Sequence, residues 1–198
     1  MKLRPLSLPL FLLTLAFGLP GLLYAQPEGA LALLDKAKAA HQLGDNLTAL
    51  ESIWRAEEII WNYSPLGIRN ASYILEPPEY FGVYAPKKGE TFAPNELLVL
   101  YAEPIGFTQR KEADGTYTNS LLGSFNILDT TGQIIGGQPN LGPFTEQGYR
   151  SFTTQKMVTF TINLNQIPPG SYILQLVLTD NLAPEKSVEL QKPFNITQ

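Results

Sequence analysis

The sequence predicts a mainly β protein, an immunoglobulin-like antiparallel β-sandwich preceded by a two-helix hairpin. Three observations carry this expectation. Apolar residues recur at helical spacing between Glu28 and Tyr63, and about seven short β-branched or aromatic runs follow from residue 80, each bounded by turn residues. Sixteen prolines and sixteen glycines are spread unevenly over the 198 residues, with Pro27 the only proline between Gln26 and Tyr63 and the rest of the mature chain's prolines falling from Pro65 onward. The division read from these shifts is 1–25, a leader; 26–63, the hairpin; 64–79, a linker; and 80–198, the sandwich.

The leader comes first. Lys2 and Arg4 precede the apolar run Leu6 to Phe17, and Gly18, Pro20 and Gly21 then break it before Ala25, a small residue that suits signal peptidase. The run is short and carries Pro9, which fits a cleaved secretory signal better than an anchor of about 20 apolar residues. No cysteine is present, so a lipobox, disulfides and thiolate metal sites are excluded. Export without disulfides points to a bacterial envelope, periplasmic or extracellular.

In the hairpin, Ala30, Leu33, Leu34, Ala37 and Ala40 form one stripe, and Leu47, Leu50, Ile53, Trp54, Ile60 and Trp61 a second. Gly44 stands where the first helix should end, and Asp45 or Asn46 where the second should be capped. The segment HQLGDNLTALESIWRAEEI, with Leu43, Gly44, Asp45, Ala49, Leu50 and Ala56 in place, resembles one tetratricopeptide helix pair. No second copy follows, so the hairpin must dock on the next domain or on a partner. Trp54 and Trp61, seven residues apart, are expected on one helix face, where they serve either as packing residues or as a stripe for a partner.

After Pro77 and Pro78 the strand runs are Tyr80 to Ala85, Glu96 to Phe107, Leu121 to Asp129, Gln133 to Gly137, Lys156 to Leu164, Ser171 to Asp180 and Lys186 to Ile196. Phe125, Ile127, Phe160, Ile162, Tyr172, Leu174, Leu176 and Leu178 are the expected core. The closing stretch PPGSYILQLVLTDNLAPEKSVELQKPFNI resembles the last hairpin of immunoglobulin-like sandwich proteins of bacterial cell envelopes. That resemblance, which spans Tyr80 to Ile196, implies a location and a fold but supplies no activity and no residue roles.

Function classes narrow by exclusion. The net charge of −4 becomes more negative once Lys2 and Arg4 are removed, which argues against nucleic acid and anionic membrane surfaces as partners. No nucleophile elbow, zincin helix or phosphate loop is present, and His41 is the only histidine, so no catalytic residue, cofactor or metal ligand is assigned. Glu103, between Tyr101 and Phe107, is the least ordinary carboxylate; it is read as accepting hydrogen bonds at a strand end that Pro104 stops, or else as part of a saccharide face. Asp114, Asp129 and Asp180 are read as turn residues bonding their own backbone. Residues 137–150 read as the longest loop, with Phe144, Tyr149 and Arg150 as contact types. The expected function is a non-catalytic exported interaction or assembly module whose partner is another envelope protein, without stable membrane insertion after cleavage. The alternative is a carbohydrate-binding module or weak glycan hydrolase.

Overall fold

A computed structural model describes residues 29–150 and 152–198, so the expected leader, 1–25, lies outside the described residues. Two helices, α1 (Ala30–Gln42) and α2 (Asn46–Tyr63), form the hairpin. Gly44, at φ 80°, closes α1: its N–H reaches the His41 carbonyl at 3.0 Å and the Asp45 N–H reaches that of Ala40 at 2.9 Å, the pairing of a Schellman motif. Asp45 then caps α2 by accepting from the Thr48 N–H. The seam between the helices is built from small residues, Ala37 and Ala40 against Ala49, Ser52 and Ala56, all buried. Small residues bring the backbones close and leave the larger apolar side chains outside the seam.

The rest of the chain is an antiparallel sandwich. One sheet has three strands in the order β1 (Gly67–Ile74), β3 (Leu97–Ile105), β7 (Val158–Asn163). The other is built on β5 (Tyr117–Leu128), which pairs with β8 (Gly170–Asp180) and the short β4 (Arg110–Lys111) along one side and β6 (Ile134–Gly148) along the other. Beyond β8 lie β9 (Ser187–Ile196) and the two-residue β2 (Thr91–Phe92), the latter parallel to β9. Alternation buries Leu174, Leu176 and Leu178 of β8 against Leu98, Leu100 and Ala102 of β3. Every core residue expected from the sequence lies in or against this cluster.

Four expectations are corrected. Residues 64–79 are more than a linker, because β1 occupies Gly67–Ile74 and pairs with β3 from Gly67↔Ile105 to Ile74↔Val99. Its Arg69, Asn70 and Ser72 broke the apolar pattern, and all three enter a polar network that only the pairing creates. Residues 80–85 form no strand beyond one isolated bridge, Tyr80↔Val83; the segment lies over the outer face of β3, with the Tyr84 ring 4.4 Å from that of Tyr101. Residues 137–150 lie largely in β6 instead of a loop, an edge strand whose register shifts opposite β5 accommodate Pro139 and Pro143. Pro104 does not stop the ladder, since β3 runs on to Ile105.

One junction fixes the hairpin and both sheets together. The three consecutive residues after β3 each have a backbone group caught by a distant side chain: Lys186 Nζ donates to the Gly106 carbonyl at 3.0 Å, Trp61 Nε1 to that of Phe107 at 2.9 Å, and Asp180 Oδ2 accepts from the Thr108 N–H at 2.6 Å. Gly106 sits at φ 74° under the Pro65 carbonyl, where a Cβ has no room.

Candidate functional site

The eight residues singled out by sequence separate into two groups. Trp61 is buried, 8 % exposed, and meets Phe107 and Phe152 edge-on at 5.1 and 5.6 Å; Phe107 is buried with it, and Phe144 packs on Phe160 at 5.5 Å. Tyr101 is fully buried. Trp54, at 61 % exposure, Tyr149 and Arg150 face outward. The expectation that both tryptophans share one environment is corrected: Trp61, in the last turn of α2, is packed on Phe107 and Phe152, whereas Trp54, seven residues earlier, stays largely exposed.

Glu103 belongs to a structural network. Its Oε2 accepts from Arg69 at 2.8 Å, and its Oε1 from the Tyr101 hydroxyl at 2.9 Å and Asn70 at 3.4 Å; Asn70 also reaches Tyr84, and the Tyr101 oxygen accepts from the Gly82 N–H. Burial alone would raise the Glu103 pKa; the Arg69 guanidinium and the hydrogen bonds from Tyr101 and Asn70 outweigh it and hold the carboxyl below its ordinary value. Burial, reinforced by Glu103, pushes the Tyr101 phenol up to about 12. The saccharide face expected at Tyr101, Glu103 and Phe107 does not form, because Tyr101 lies beneath the 75–86 segment and Phe107 in the main core.

Two surface features remain. The first is an apolar groove of about 540 Å³ along the hairpin, walled by Leu34 and Ala37 of α1 and by Leu50 and Ile53 of α2. Leu34, Leu50 and Ile53 are 40, 46 and 44 % exposed, and Lys38, His41 and Asn46 edge the groove near the turn. His41 Nδ1 lies 2.8 Å from Asn46 Oδ1, so the single histidine ties the two helices.

The second is a cleft between α2 and the sandwich. It is about 500 Å³ and is lined by Trp54 and Glu57 of α2 and by Phe152 and Thr154; a separate hollow of about 230 Å³ on the sandwich, lined by Gln109, Tyr117, Asn119 and Glu146, shares Arg150 and Thr153 with it. Asn119 is 5 % exposed and its Oδ1 is buried without a hydrogen-bond partner. Glu146, opposite Asn119 in the β5–β6 register, lies 3.6 Å from Nζ of Lys156, which is almost wholly buried. Burial lowers the Lys156 pKa, opposed by the charges of Glu146 and Asp180. Sequence alone did not signal Asn119, Lys156 or Gln109, since polar residues within or beside strands acquire a role only from a register that the pattern does not disclose.

Among the described residues no group of three or more His, Cys, Asp or Glu side chains is placed to hold a metal ion, and no helix is long and apolar enough to cross a membrane.

No family model matches the chain, and no curated protein matches it. Solved structures do. A PKD domain of a peptidase from a Thermoplasmatales archaeon is 10 % identical, over 68 % of this chain and 98 % of that one, with a TM-score of 0.38. CopC from Methylosinus trichosporium is 14 % identical over 67 % and 93 %, with a TM-score of 0.32. A superoxide reductase from Ignicoccus hospitalis is 14 % identical over 65 % and 81 %, also at 0.32.

Proposed function

We propose that this chain is a non-catalytic exported module of a bacterial cell envelope, akin to the envelope sandwiches its sequence resembles, and that it assembles through its helical hairpin. The observation that carries the reading is the groove of Leu34, Ala37, Leu50 and Ile53. The hairpin spends its small residues on its own seam and leaves its large apolar ones at i, i+3 and i+4 spacing on an open face, which is the geometry by which a groove receives another helix. The absence of catalysis is supported by the state of the buried carboxylates: Glu103 accepts from three side chains and Asp180 from three backbone amides, so neither is poised to move a proton.

The occupant we assign to the groove is a second copy. Helix α1 carries Lys36 and Lys38 against Asp35, whereas α2 carries Glu51, Glu57 and Glu58 against Arg55. A two-fold pairing that lays α1 of one protomer across α2 of the other sets a net positive helix on a net negative one in both halves of the interface.

Light scattering from about 1 to about 200 µM should show a monomer passing into a dimer, and Leu50→Glu with Ile53→Glu should abolish the dimer while matching the melting temperature of the wild type at about 1 µM, where both are monomers. A wild-type chain that stays monomeric over that range removes the second copy. Site-specific photo-crosslinking from position 53 in the native envelope then decides the broader reading: an adduct of defined mass with one other protein keeps the groove as a docking surface for that partner, and the absence of any adduct removes the interaction module altogether.

A further inference from the structure

We propose that the outer edge of β7 is a docking site for an extended, uncharged segment of a partner protein, which adds to the three-stranded sheet as a further strand. The inference is independent of the hairpin groove, which uses other side chains.

A β protein is open to other chains at its edges, because each edge leaves a row of unpaired N–H and C=O groups. The other edges of this sandwich are guarded. Residues 85–87 bond along the end of β1, where the Leu75 N–H donates to the Ala85 carbonyl and the Lys87 N–H to that of Tyr73. Strand β9 carries Glu189, Lys192 and Pro193, and β2 covers its last residues. Strand β4 is only Arg110 and Lys111, and β6 is interrupted by Pro139 and Pro143 and shifts register against β5. Charges, prolines, short strands and covering segments are the devices that keep one sheet from pairing with another.

Strand β7, with the sequence VTFTIN, has none of them. It holds no proline, glycine or charge, and among the described residues it pairs with β3 alone. Alternate residues therefore turn their N–H and C=O groups away from the sheet. Such a row, repeating at strand spacing, is matched by another extended main chain, which makes the occupant a strand.

The side chains around the edge set the chemistry of that strand. Alternation buries Val158, Phe160 and Ile162 and leaves Thr161 and Asn163 exposed. Across the sandwich, Phe144 packs on Phe160 at 5.5 Å, and Phe144 and Leu141 of β6 are only partly buried. A strand beside β7 sets its inward residues against these two and its outward residues beside Thr161, so it alternates apolar with small polar side chains. A charge on it meets no counter-charge on β7. Antiparallel addition carries its C-terminal end past Val158 toward residues 152–155, where Trp54 and Phe152 line the cleft beside α2. A large apolar residue at that end of the segment fits between them.

The test uses the full mature chain at about 1 µM, where the hairpin leaves it monomeric, and reads hydrogen exchange at single amides. The probes are capped octapeptides that alternate threonine with valine or isoleucine and end in phenylalanine or tryptophan, each on a soluble N-terminal tag. At least one should slow exchange about tenfold or more on alternate residues of Val158–Asn163. Two further versions of that peptide, N-methylated on its odd or on its even amides, separate strand addition from side-chain contact. One should bind as the parent does, and the other about tenfold or more weaker. Trp54→Ala, at an exposed position, should weaken the parent about threefold to tenfold without changing the melting temperature. The proposal is overturned if no peptide protects β7, if the two N-methylated versions bind alike, or if Trp54→Ala binds as the wild type does. It is also overturned if the Leu50→Glu, Ile53→Glu chain, without peptide, protects β7 increasingly with its own concentration, since the edge then belongs to a second copy.

Discussion

Trp61 and Phe107, 46 residues apart, hold each other twice: the indole Nε1 donates to the Phe107 carbonyl at 2.9 Å, and the rings meet edge-on at 5.1 Å with planes 86° apart. The bond satisfies a buried donor, and the rings fix the end of α2 to the sandwich. Trp61→Ala should therefore cost about 3–5 kcal/mol, while Trp54→Ala, seven residues earlier on the same helix, should stay within about 0.5 kcal/mol. Paired urea titrations of the two variants decide the point, and equal costs would contradict the packing described.

How far such a contrast could be read from the sequence depends on the distance over which its cause acts. The hairpin, its Gly44 stop and its Asp45 cap follow from rules local to a few residues, and they are found where the sequence puts them. The core of β8 was legible because its alternation is unbroken. Strand β1 was not, because its pattern is interrupted by Arg69 and Asn70, which donate to the Glu103 carboxylate across the sheet, and by Ser72, which donates to Asn70. Strand β6 was hidden by its glycines and prolines, which an edge can tolerate and a sequence pattern reads as loop. Around the candidate cleft, Trp54 and Arg150 were named from residue type, whereas Asn119 and Lys156 depend on register and burial and left no local mark.

Gly123 makes room for the opposite sheet. A Cβ there would stand 2.7 Å from the ring of Phe160 on β7 and 3.3 Å from that of Phe144. Both rings are packed, so neither can retreat without opening a gap. Gly123→Ala should cost about 1–3 kcal/mol from overpacking, more than the small gain alanine brings by restricting the unfolded chain. Thermal denaturation checks this, and an unchanged or higher midpoint would show that the interface between the sheets is looser than drawn.

Asp180 offers acceptors to donors only. Oδ2 takes the Thr108 N–H, and Oδ1 takes those of Leu182 and Ala183 at 2.9 and 3.2 Å, on a side chain with no exposed surface. Asn in its place must turn an NH₂ group toward one of these amides, so the near-isosteric exchange is not conservative. Asp180→Asn should cost about 2–4 kcal/mol and raise hydrogen exchange at Thr108 above that of its neighbours in β3. Exchange at Thr108 equal to the wild type would show that the bond across the junction carries no stability.

Glu103 makes stability depend on pH in a fixed direction. Burial works to raise its pKa, but the Arg69 ion pair and the hydrogen bonds from Tyr101 and Asn70 prevail, and the folded value lies below that of the unfolded chain. The unfolded chain therefore binds the proton first as acid is added, so the stabilisation from Glu103 is complete above an ordinary glutamate pKa of about 4.3 and is lost as pH falls through the depressed folded value. Glu103→Gln removes that titration and weakens the charge-assisted bond from Arg69, at a cost of about 1–3 kcal/mol near neutral pH. The difference in unfolding free energy between wild type and Glu103→Gln should thus be flat from pH 7 to about pH 5 and shrink below it. A difference that widens in acid, or one that is the same at pH 3 and pH 7, would show that Arg69 does not hold the carboxylate in its charged form.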